Sequence, residues 1–139
     1  KKELFRVPVF GTGMRLGHLV PVDRGDHEAA IESVQAAIKV LREGLHMVIY
    51  PEGTRSSDGR LLPFKKGPFY LAMDSGVPVV PVTMLGTYEC WPKTRFALRP
   101  GTATVVFHPP IDPHDYADRE TLMTAVRDTI ASALPPERR

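Results

Sequence analysis

The sequence predicts one α/β domain over residues 1–139, with helices on both faces of a mixed, mostly parallel sheet. Apolar runs of strand length alternate with amphipathic helical stretches along the chain. The first strand–helix–strand unit predicts two parallel strands joined by a right-handed crossover. With 139 residues, of which 42% are apolar and 24% charged, the chain is long enough for one domain with a core and too short for two.

Residues 1–16 predict short helical turns rather than one long helix. Pro8, Gly11 and Gly13 interrupt any regular helical pattern in this stretch. Basic and large apolar residues are mixed between them, which leaves two interpretations open. The stretch is either a half-buried surface segment or a patch that contacts an anionic membrane surface.

The strand–helix–strand unit comes next. Strand 19–22 is followed by a helix that begins at the capping residue Asp26 and runs to about Glu43, where Gly44 stops it. Strand 46–50 then completes the unit. Apolar residues three or four apart give the helix one face for packing on the sheet: Ile31, Val34, Ile38 and Leu41.

The rest of the chain also alternates loops, strands and helices, with proline and glycine at the ends of the predicted elements. Pro78 and Pro81 exclude full hydrogen-bond pairing along the strand that contains them. In chain order the elements are a polar loop over 56–66, a helix over 67–75, a strand over 77–83, a loop over 85–94, a hairpin of strands 96–99 and 102–108, and a closing helix with the apolar face Leu122, Val126, Ile130 and Leu134.

Composition argues against several classes of function. The net charge is only +2 and no dense basic stripe appears, so we expect no nucleic-acid partner. We expect no metal, because no cluster of acidic residues appears and no zinc-ligand spacing is found among His27, His46, His108 and His114. No apolar run approaches the ~20 residues that a membrane span needs. The chain does not begin with Met, and we expect it to be a fragment that lacks the amino-terminal part of its domain.

The most informative stretch is Tyr50-Pro51-Glu52-Gly53-Thr54-Arg55-Ser56, which follows an apolar run of strand length. Gly53 allows a positive φ or a close approach of the backbone to a ligand. Arg55 presents a planar fork of donors that suits a phosphate or a carboxylate. In open α/β folds ligands bind just beyond the carboxyl ends of strands. The stretch therefore predicts an anion-binding loop.

This stretch closely resembles the Pro-Glu-Gly-Thr-Arg block of the glycerolipid acyltransferases, the PlsC-like family. The resemblance extends from Lys1 to about Leu134. Four blocks in order are far more specific than any one of them. The other three resemble family blocks in the expected order: Lys1-Lys2-Glu3-Leu4-Phe5, Gly17-His18-Leu19-Val20-Pro21-Val22-Asp23-Arg24 and Val77-Pro78-Val79-Val80-Pro81-Val82.

The resemblance implies transfer of a fatty acyl group from acyl-CoA or acyl carrier protein to the sn-2 hydroxyl of 1-acyl-sn-glycerol 3-phosphate, giving phosphatidic acid for phospholipid synthesis. It implies no cofactor besides the acyl donor. It places the enzyme at the cytoplasmic face of a membrane, peripheral or anchored through an amino-terminal part. Two alternatives stay open: an acyltransferase for glycerol 3-phosphate or another lysolipid, and a non-catalytic module that binds anionic lipid headgroups.

The resemblance also assigns binding of the acceptor's phosphate to basic residues of this chain. Arg24 and Arg55 each follow a predicted strand, and the family uses these positions to hold the phosphate. Lys1 and Lys65 are further candidates, because a lysine supplies a point charge to a phosphate. Each of these lysines is equally compatible with a plain surface position.

Glu52, Gly53 and Thr54 are assigned to the same binding loop. Glu52 either orients an arginine or accepts backbone hydrogen bonds that shape the loop. Thr54 either donates its hydroxyl to a phosphate oxygen or caps the turn.

His18 and Asp23 have the His-x4-Asp spacing of the family's catalytic motif, in which the His is the general base and the Asp orients it. We interpret the spacing as coincidental. The family's motif lies upstream of the block that resembles residues 1–5, whereas His18 lies downstream of it. On a strand, an offset of five also points the two side chains to opposite faces. We therefore predict no catalytic residue in this chain and no acyl transfer by its 139 residues alone.

Overall fold

The computed structural model describes residues 5–17 and 27–139. The chain forms two compact units, Lys1–Met47 and Val48–Arg139. The prediction of one domain over residues 1–139 stays a prediction. None of the described helices combines the length and the apolar character needed to cross a membrane.

The first unit contains two described helices. Helix α1 is Phe10–Leu16, only 7 residues long, in agreement with the short helical turns predicted there. Helix α2 is His27–Arg42, and Ile38 on its predicted apolar face is buried. The helix ends where the N–H of Gly44, which has φ +87°, donates to the Leu41 carbonyl over 3.0 Å.

Residues 46–50, predicted as a strand, form no ladder with any residue in the described parts of the chain. Val48 and Tyr50 are 83% and 68% exposed. A strand is stabilised by hydrogen bonds to a neighbouring strand. The predicted neighbour, 19–22, lies outside the described residues, as does the predicted helix cap Asp26. The parallel pair therefore stays a prediction.

The second unit combines helices with a small sheet. The helices predicted over 67–75 and near the carboxyl end are confirmed. In chain order the elements are α3 (Gly67–Ser75), β1 (Val82–Leu85), α4 (Thr87–Cys90), β2 (Thr104–Phe107), a 3-10 turn (Pro113–Asp115), α5 (Arg119–Ser132) and a second 3-10 turn (Pro136–Arg138). The short helix α4 lies within the stretch 85–94 that the sequence predicts as a loop.

The two strands pair in the antiparallel sense, with Val82 opposite Phe107 and Leu85 opposite Thr104. The sequence predicts a mostly parallel or mixed sheet, whereas this ladder, between the only strands in the described residues, is antiparallel. The hairpin predicted between 96–99 and 102–108 is wrong, because β2 pairs with β1 instead.

Backbone hydrogen bonds between the residues that precede β1 and those that follow β2 favour this pairing. Val79 and Ile111 exchange two backbone hydrogen bonds of 2.9 and 2.8 Å, and the His108 N–H donates to the Pro81 carbonyl over 3.0 Å. These bonds extend the alignment that β1 and β2 continue. The predicted strand 77–83 begins only at residue 82, since prolines 78 and 81 carry no N–H.

The core of the second unit lies between α3 and α5. Its buried residues are Phe69, Ala72, Leu122 and Val126, and Leu122 is 0% exposed. Partly buried apolar side chains surround them: Phe64, Met73, Val79, Ile111, Tyr116, Met123 and Ile130. The buried Thr83 hydroxyl donates to the Ile130 carbonyl over 2.9 Å, which joins β1 to α5. Helix α5 therefore contacts both α3 and the sheet.

Candidate functional site

The loop that begins at Tyr50 makes a tight turn. The Gly53 N–H donates to the Tyr50 carbonyl over 3.0 Å, and Gly53 has φ +68°. That backbone conformation is costly for any residue with a Cβ. Glycine is therefore required here by the turn itself, whatever the loop binds.

Two backbone contacts fasten this turn to residues 62–65. The Leu62 N–H donates to Glu52 Oε2 over 2.8 Å, and the Lys65 N–H donates to the Pro51 carbonyl over 2.7 Å. Phe64, next to Lys65, stacks on the core residue Phe69 with 6.1 Å between ring centroids. The position of the turn is thus set by the hydrophobic core through residues 62–65.

Of the two roles considered for Glu52, the structure bears on the second, because its carboxylate accepts a backbone hydrogen bond. Its partial burial raises the pKa of Glu52 above the usual range. The Leu62 N–H and the charge of Arg127 oppose that pKa shift without cancelling it. Glu52 therefore supports the turn through its hydrogen bond to the Leu62 N–H.

Replacing Glu52 by Gln is expected to leave the free energy of unfolding near that of the wild type at pH 4.5 and to raise it relative to the wild type at pH 7. A raised pKa in the folded state means that Glu52 contributes stability below its ordinary pKa of 4.5, and that this contribution is lost as the pH rises through the raised value. Gln keeps an acceptor for Leu62 without the charge.

The matched variant Glu52→Ala removes the acceptor as well as the charge and should be about 1 kcal/mol less stable than the Gln variant at both pH values. Urea denaturation of the full-length protein at the two pH values measures both effects. If the Gln variant were less stable than the wild type by the same margin at both, the interpretation of Glu52 as a partly desolvated support would be contradicted.

Three exposed cationic side chains surround the turn. The Arg55 guanidinium carbon lies 4.9 Å from the centroid of the Trp91 ring. Lys93 Nζ lies 3.4 Å from Thr54 Oγ1. The stem of Lys65 passes the turn, since a Cβ at Gly53 would lie 3.6 Å from its Cγ. Among the described residues, no carboxylate lies within salt-bridge distance of these three cations.

Chemically, this arrangement suits a phosphate or another small anion. Arg55 supplies a fork of donors, and the two lysines supply point charges. The Thr54 hydroxyl accepts from Lys93 and can still donate, because a hydroxyl carries both a donor and lone pairs. Whether each of these residues contacts a substrate stays a prediction.

Lys93 and Trp91 were not predicted as site residues. They lie in the stretch interpreted as a loop, and Lys93 is separated from Thr54 by 39 residues. A basic residue close to the only tryptophan is visible in the sequence, but nothing in its spacing connects it with the loop at Gly53.

Four residues considered from the sequence lie outside the described residues: Lys1, His18, Asp23 and Arg24. The predicted convergence of Arg24 with Arg55 on one phosphate therefore stays a prediction, as does the coincidental spacing of His18 and Asp23. In the described part of the chain no group of three or more histidine, cysteine or acidic residues could hold a metal ion.

In the described part of the chain, one histidine lies within salt-bridge distance of an aspartate. His114 Nδ1 lies 2.7 Å from Asp112 Oδ1, and Asp112 also accepts from the His114 N–H over 2.9 Å. Both residues are exposed and belong to one 3-10 turn that Asp112 caps. The contact is explained by this local turn, and we assign it no catalytic role.

Comparisons with known proteins agree with the resemblance. A family model described as Acyltransferase matches residues 1–85. A 1-acyl-sn-glycerol-3-phosphate acyltransferase of Limnanthes alba is 44% identical over 117 residues, which are 84% of this chain and 42% of that protein. One from Chlamydomonas reinhardtii is 40% identical over 138 residues, 99% of this chain and 41% of that protein. The chain thus spans about two fifths of the length of these relatives.

A solved structure shares the fold. The crystal structure of the 1-acyl-sn-glycerophosphate (LPA) acyltransferase PlsC from Thermotoga maritima matches with a TM-score of 0.79 and 34% identity. The match covers 94% of this chain and 52% of the Thermotoga chain. The predicted α/β class is therefore confirmed.

Proposed function

This chain belongs to the acyltransferase family, and we propose that the full-length protein transfers a fatty acyl group to the sn-2 hydroxyl of 1-acyl-sn-glycerol 3-phosphate. The product is phosphatidic acid. The relatives named 1-acyl-sn-glycerol-3-phosphate acyltransferase support this activity, since they match along 84% to 99% of the chain. We expect the acyl donor to be acyl-CoA or acyl carrier protein, and the site of action to be a membrane surface.

The observation that carries the proposal is the glycine turn with its three exposed cations. A phosphate monoester carries about −1.5 to −2 charges at pH 7. A small, highly charged anion of this kind suits Arg55, Lys65 and Lys93 around Thr54, because no carboxylate of the described residues neutralises them. A neutral acceptor would leave these charges unused.

In the proposed reaction the acceptor hydroxyl attacks the thioester carbonyl of the donor. A new C–O bond forms, the C–S bond breaks, and the hydroxyl proton passes through a general base to the departing thiolate. The residues of this chain hold the acceptor's phosphate and so place its hydroxyl near that base. Positioning of a reactant in this way can contribute on the order of 10² to 10⁵ in rate.

Acceptor choice tests the proposal in the full-length protein. We expect kcat/KM for 1-acyl-sn-glycerol 3-phosphate to exceed that for 1-monoacylglycerol by roughly 10²-fold, since the neutral acceptor loses charge-assisted hydrogen bonds. A choline diester of the same lysolipid should fall between them. Equal values for the phosphate-bearing and the neutral acceptor would overturn the proposal, and transfer to glycerol 3-phosphate alone would favour that acceptor instead.

A further inference from the structure

The first wall of the phosphate site is the turn with Thr54 and Arg55. We propose that Trp91 and Lys93 form a second wall, distant from this turn in sequence but in contact with it, and make the site selective for a dianionic phosphate monoester. Trp91 is a positioning residue for Arg55, and Lys93 supplies an additional charge. This inference rests on the proposed function and deepens it, because it names the class of headgroup that the site prefers.

The segment that carries the two residues is a closed turn. The Trp91 N–H donates to the Thr87 carbonyl of α4 over 3.0 Å. The Trp91 indole N–H donates to the Arg95 carbonyl over 3.1 Å, and the Arg95 N–H donates to the carbonyl of the buried Pro92, also over 3.1 Å. Lys93 is thus presented from a turn that is fixed at both ends.

Helix α4, which precedes this turn, is fastened to the loop that follows Arg55. The Tyr88 hydroxyl of α4 donates to the Ser57 carbonyl over 3.0 Å. A Cβ at Gly59 would lie 3.0 Å from the Tyr88 ring, so α4 and this loop are in close contact. Arg138 covers the Tyr88 ring, with 5.5 Å from its guanidinium carbon to the centroid. The two walls are therefore held relative to each other before any ligand arrives.

Trp91 acts on Arg55 through its ring. A guanidinium that lies over an aromatic face is attracted to it, and an arginine carries five N–H donors with which it can bind a ligand. An exposed arginine otherwise loses rotamer entropy when it binds an anion. The contact with Trp91 removes part of that loss in advance, so that the phosphate is bound by a preorganised fork.

Lys93 adds charge at a second point of the turn. Its ammonium group lies 3.4 Å from Thr54 Oγ1, on the residue next to Arg55 in the chain. A phosphate that accepts from Thr54 would therefore lie close to both cations. An additional cation stabilises a dianionic monoester more than a diester with a single charge. Lys93 therefore favours phosphate monoesters over phosphate diesters and does not simply attract any anion.

The same phosphate chemistry occurs in the donor, because coenzyme A also carries phosphate groups. The contact between Lys93 and Thr54 favours the acceptor, since Thr54 and Arg55 belong to one turn. Kinetics with each substrate varied in turn distinguish the two sources. An effect on the acceptor's KM supports the proposal, and an effect confined to the KM for acyl-CoA overturns it.

Four single variants at Lys93 and Trp91, and one double variant compared with Arg55→Ala, test the inference in the full-length protein. Lys93→Gln is expected to raise the KM for 1-acyl-sn-glycerol 3-phosphate about three- to tenfold, with kcat within about twofold. Lys93→Arg keeps the charge, and its KM should stay close to that of the wild type.

Trp91→Leu is expected to raise this KM by a similar factor, and Trp91→Phe, which keeps an aromatic face, by less. Combining Trp91→Leu with Arg55→Ala should add little to Arg55→Ala alone, because Trp91 acts through Arg55.

Lys66→Gln is the matched control. It removes the same charge next to Lys65, but Lys66 Nζ is engaged with Glu120 Oε1 at 2.9 Å. If the Trp91→Leu and Lys93→Gln variants had the KM of this control while Arg55→Ala still raised it, the second wall would be refuted and the proposed function would stand. If Arg55→Ala also left the KM unchanged, Arg55 would not hold the acceptor's phosphate and the role of Trp91 would be refuted with it. The proposed function itself is overturned by equal kcat/KM values for the phosphate-bearing and the neutral acceptor. Lys93→Gln alters only an exposed side chain and keeps the test valid if Trp91→Leu does not fold.

Discussion

Replacing Arg55 by Ala is expected to raise the KM for 1-acyl-sn-glycerol 3-phosphate by about 10- to 100-fold in the full-length protein. Hydrogen bonds to charged groups contribute about 1.5–3 kcal/mol each, and the bidentate fork of an arginine can make two of them with one phosphate. The guanidinium stands exposed over Trp91, so that removing it leaves the turn and the core intact. Steady-state kinetics with varied acceptor measure the effect.

Two comparisons make the Arg55 result specific. Activity toward 1-monoacylglycerol should stay within about twofold of the wild type, because that acceptor has no phosphate to lose. Arg60→Ala removes an arginine from the same unit, but its Nε lies 3.9 Å from Asp58 Oδ2 and we expect little effect on KM. A loss of activity that was equal for phosphate-bearing and neutral acceptors would show that Arg55 does not act on the phosphate.

The turn at the centre of the site could be predicted from sequence because its determinants are local. Gly53 and the proline at position 51 define the backbone path within a few residues, and Gly53 has the positive φ that was one of the two possibilities for it. Helices α3 and α5 were predictable for the same reason, from proline and glycine at their ends and from apolar residues three or four apart.

Strand pairing was not predictable in this way. An apolar run shows that a strand exists but does not identify its neighbour, which is selected by contacts between distant residues. The run that contains β2 lies beside a Pro100-Gly101 turn signal, and this local signal favoured a hairpin. The bonds between Val79 and Ile111 instead align β2 with β1.

The second wall of the site was missed for a related reason. Lys93 contacts Thr54 from the segment that follows α4, and α4 is itself fastened to the loop after Arg55 through Tyr88 and Ser57. That contact depends on tertiary packing, so no spacing within the sequence reveals it. The anion chemistry could be predicted from Gly53, Arg55 and Lys65, whereas the contribution of Lys93 could not.

The largest expected effect on stability is that of Leu122→Ala. Leu122 on α5 is 0% exposed and packs in the core with Phe69 and Val126. Removing a buried leucine side chain costs the transfer free energy of the lost atoms and leaves a cavity, together about 2–5 kcal/mol. The midpoint of urea denaturation of the full-length protein should fall accordingly. Asp128→Ala, at an exposed position on the same helix, should change the free energy of unfolding by no more than about 0.5 kcal/mol.

Leu122→Ala should change mainly the stability of the protein, whereas Arg55→Ala should change mainly the acceptor's KM. The core variant is expected to lose stability while its folded fraction keeps the acceptor's KM within about threefold of the wild type, because no cation of the turn is removed. Some increase is expected, since Phe64 packs against this core and Lys65 follows it. The Arg55 variant should retain its denaturation midpoint, as exposed side chains usually contribute within about 0.5 kcal/mol. An unchanged midpoint for Leu122→Ala would contradict the core described between α3 and α5.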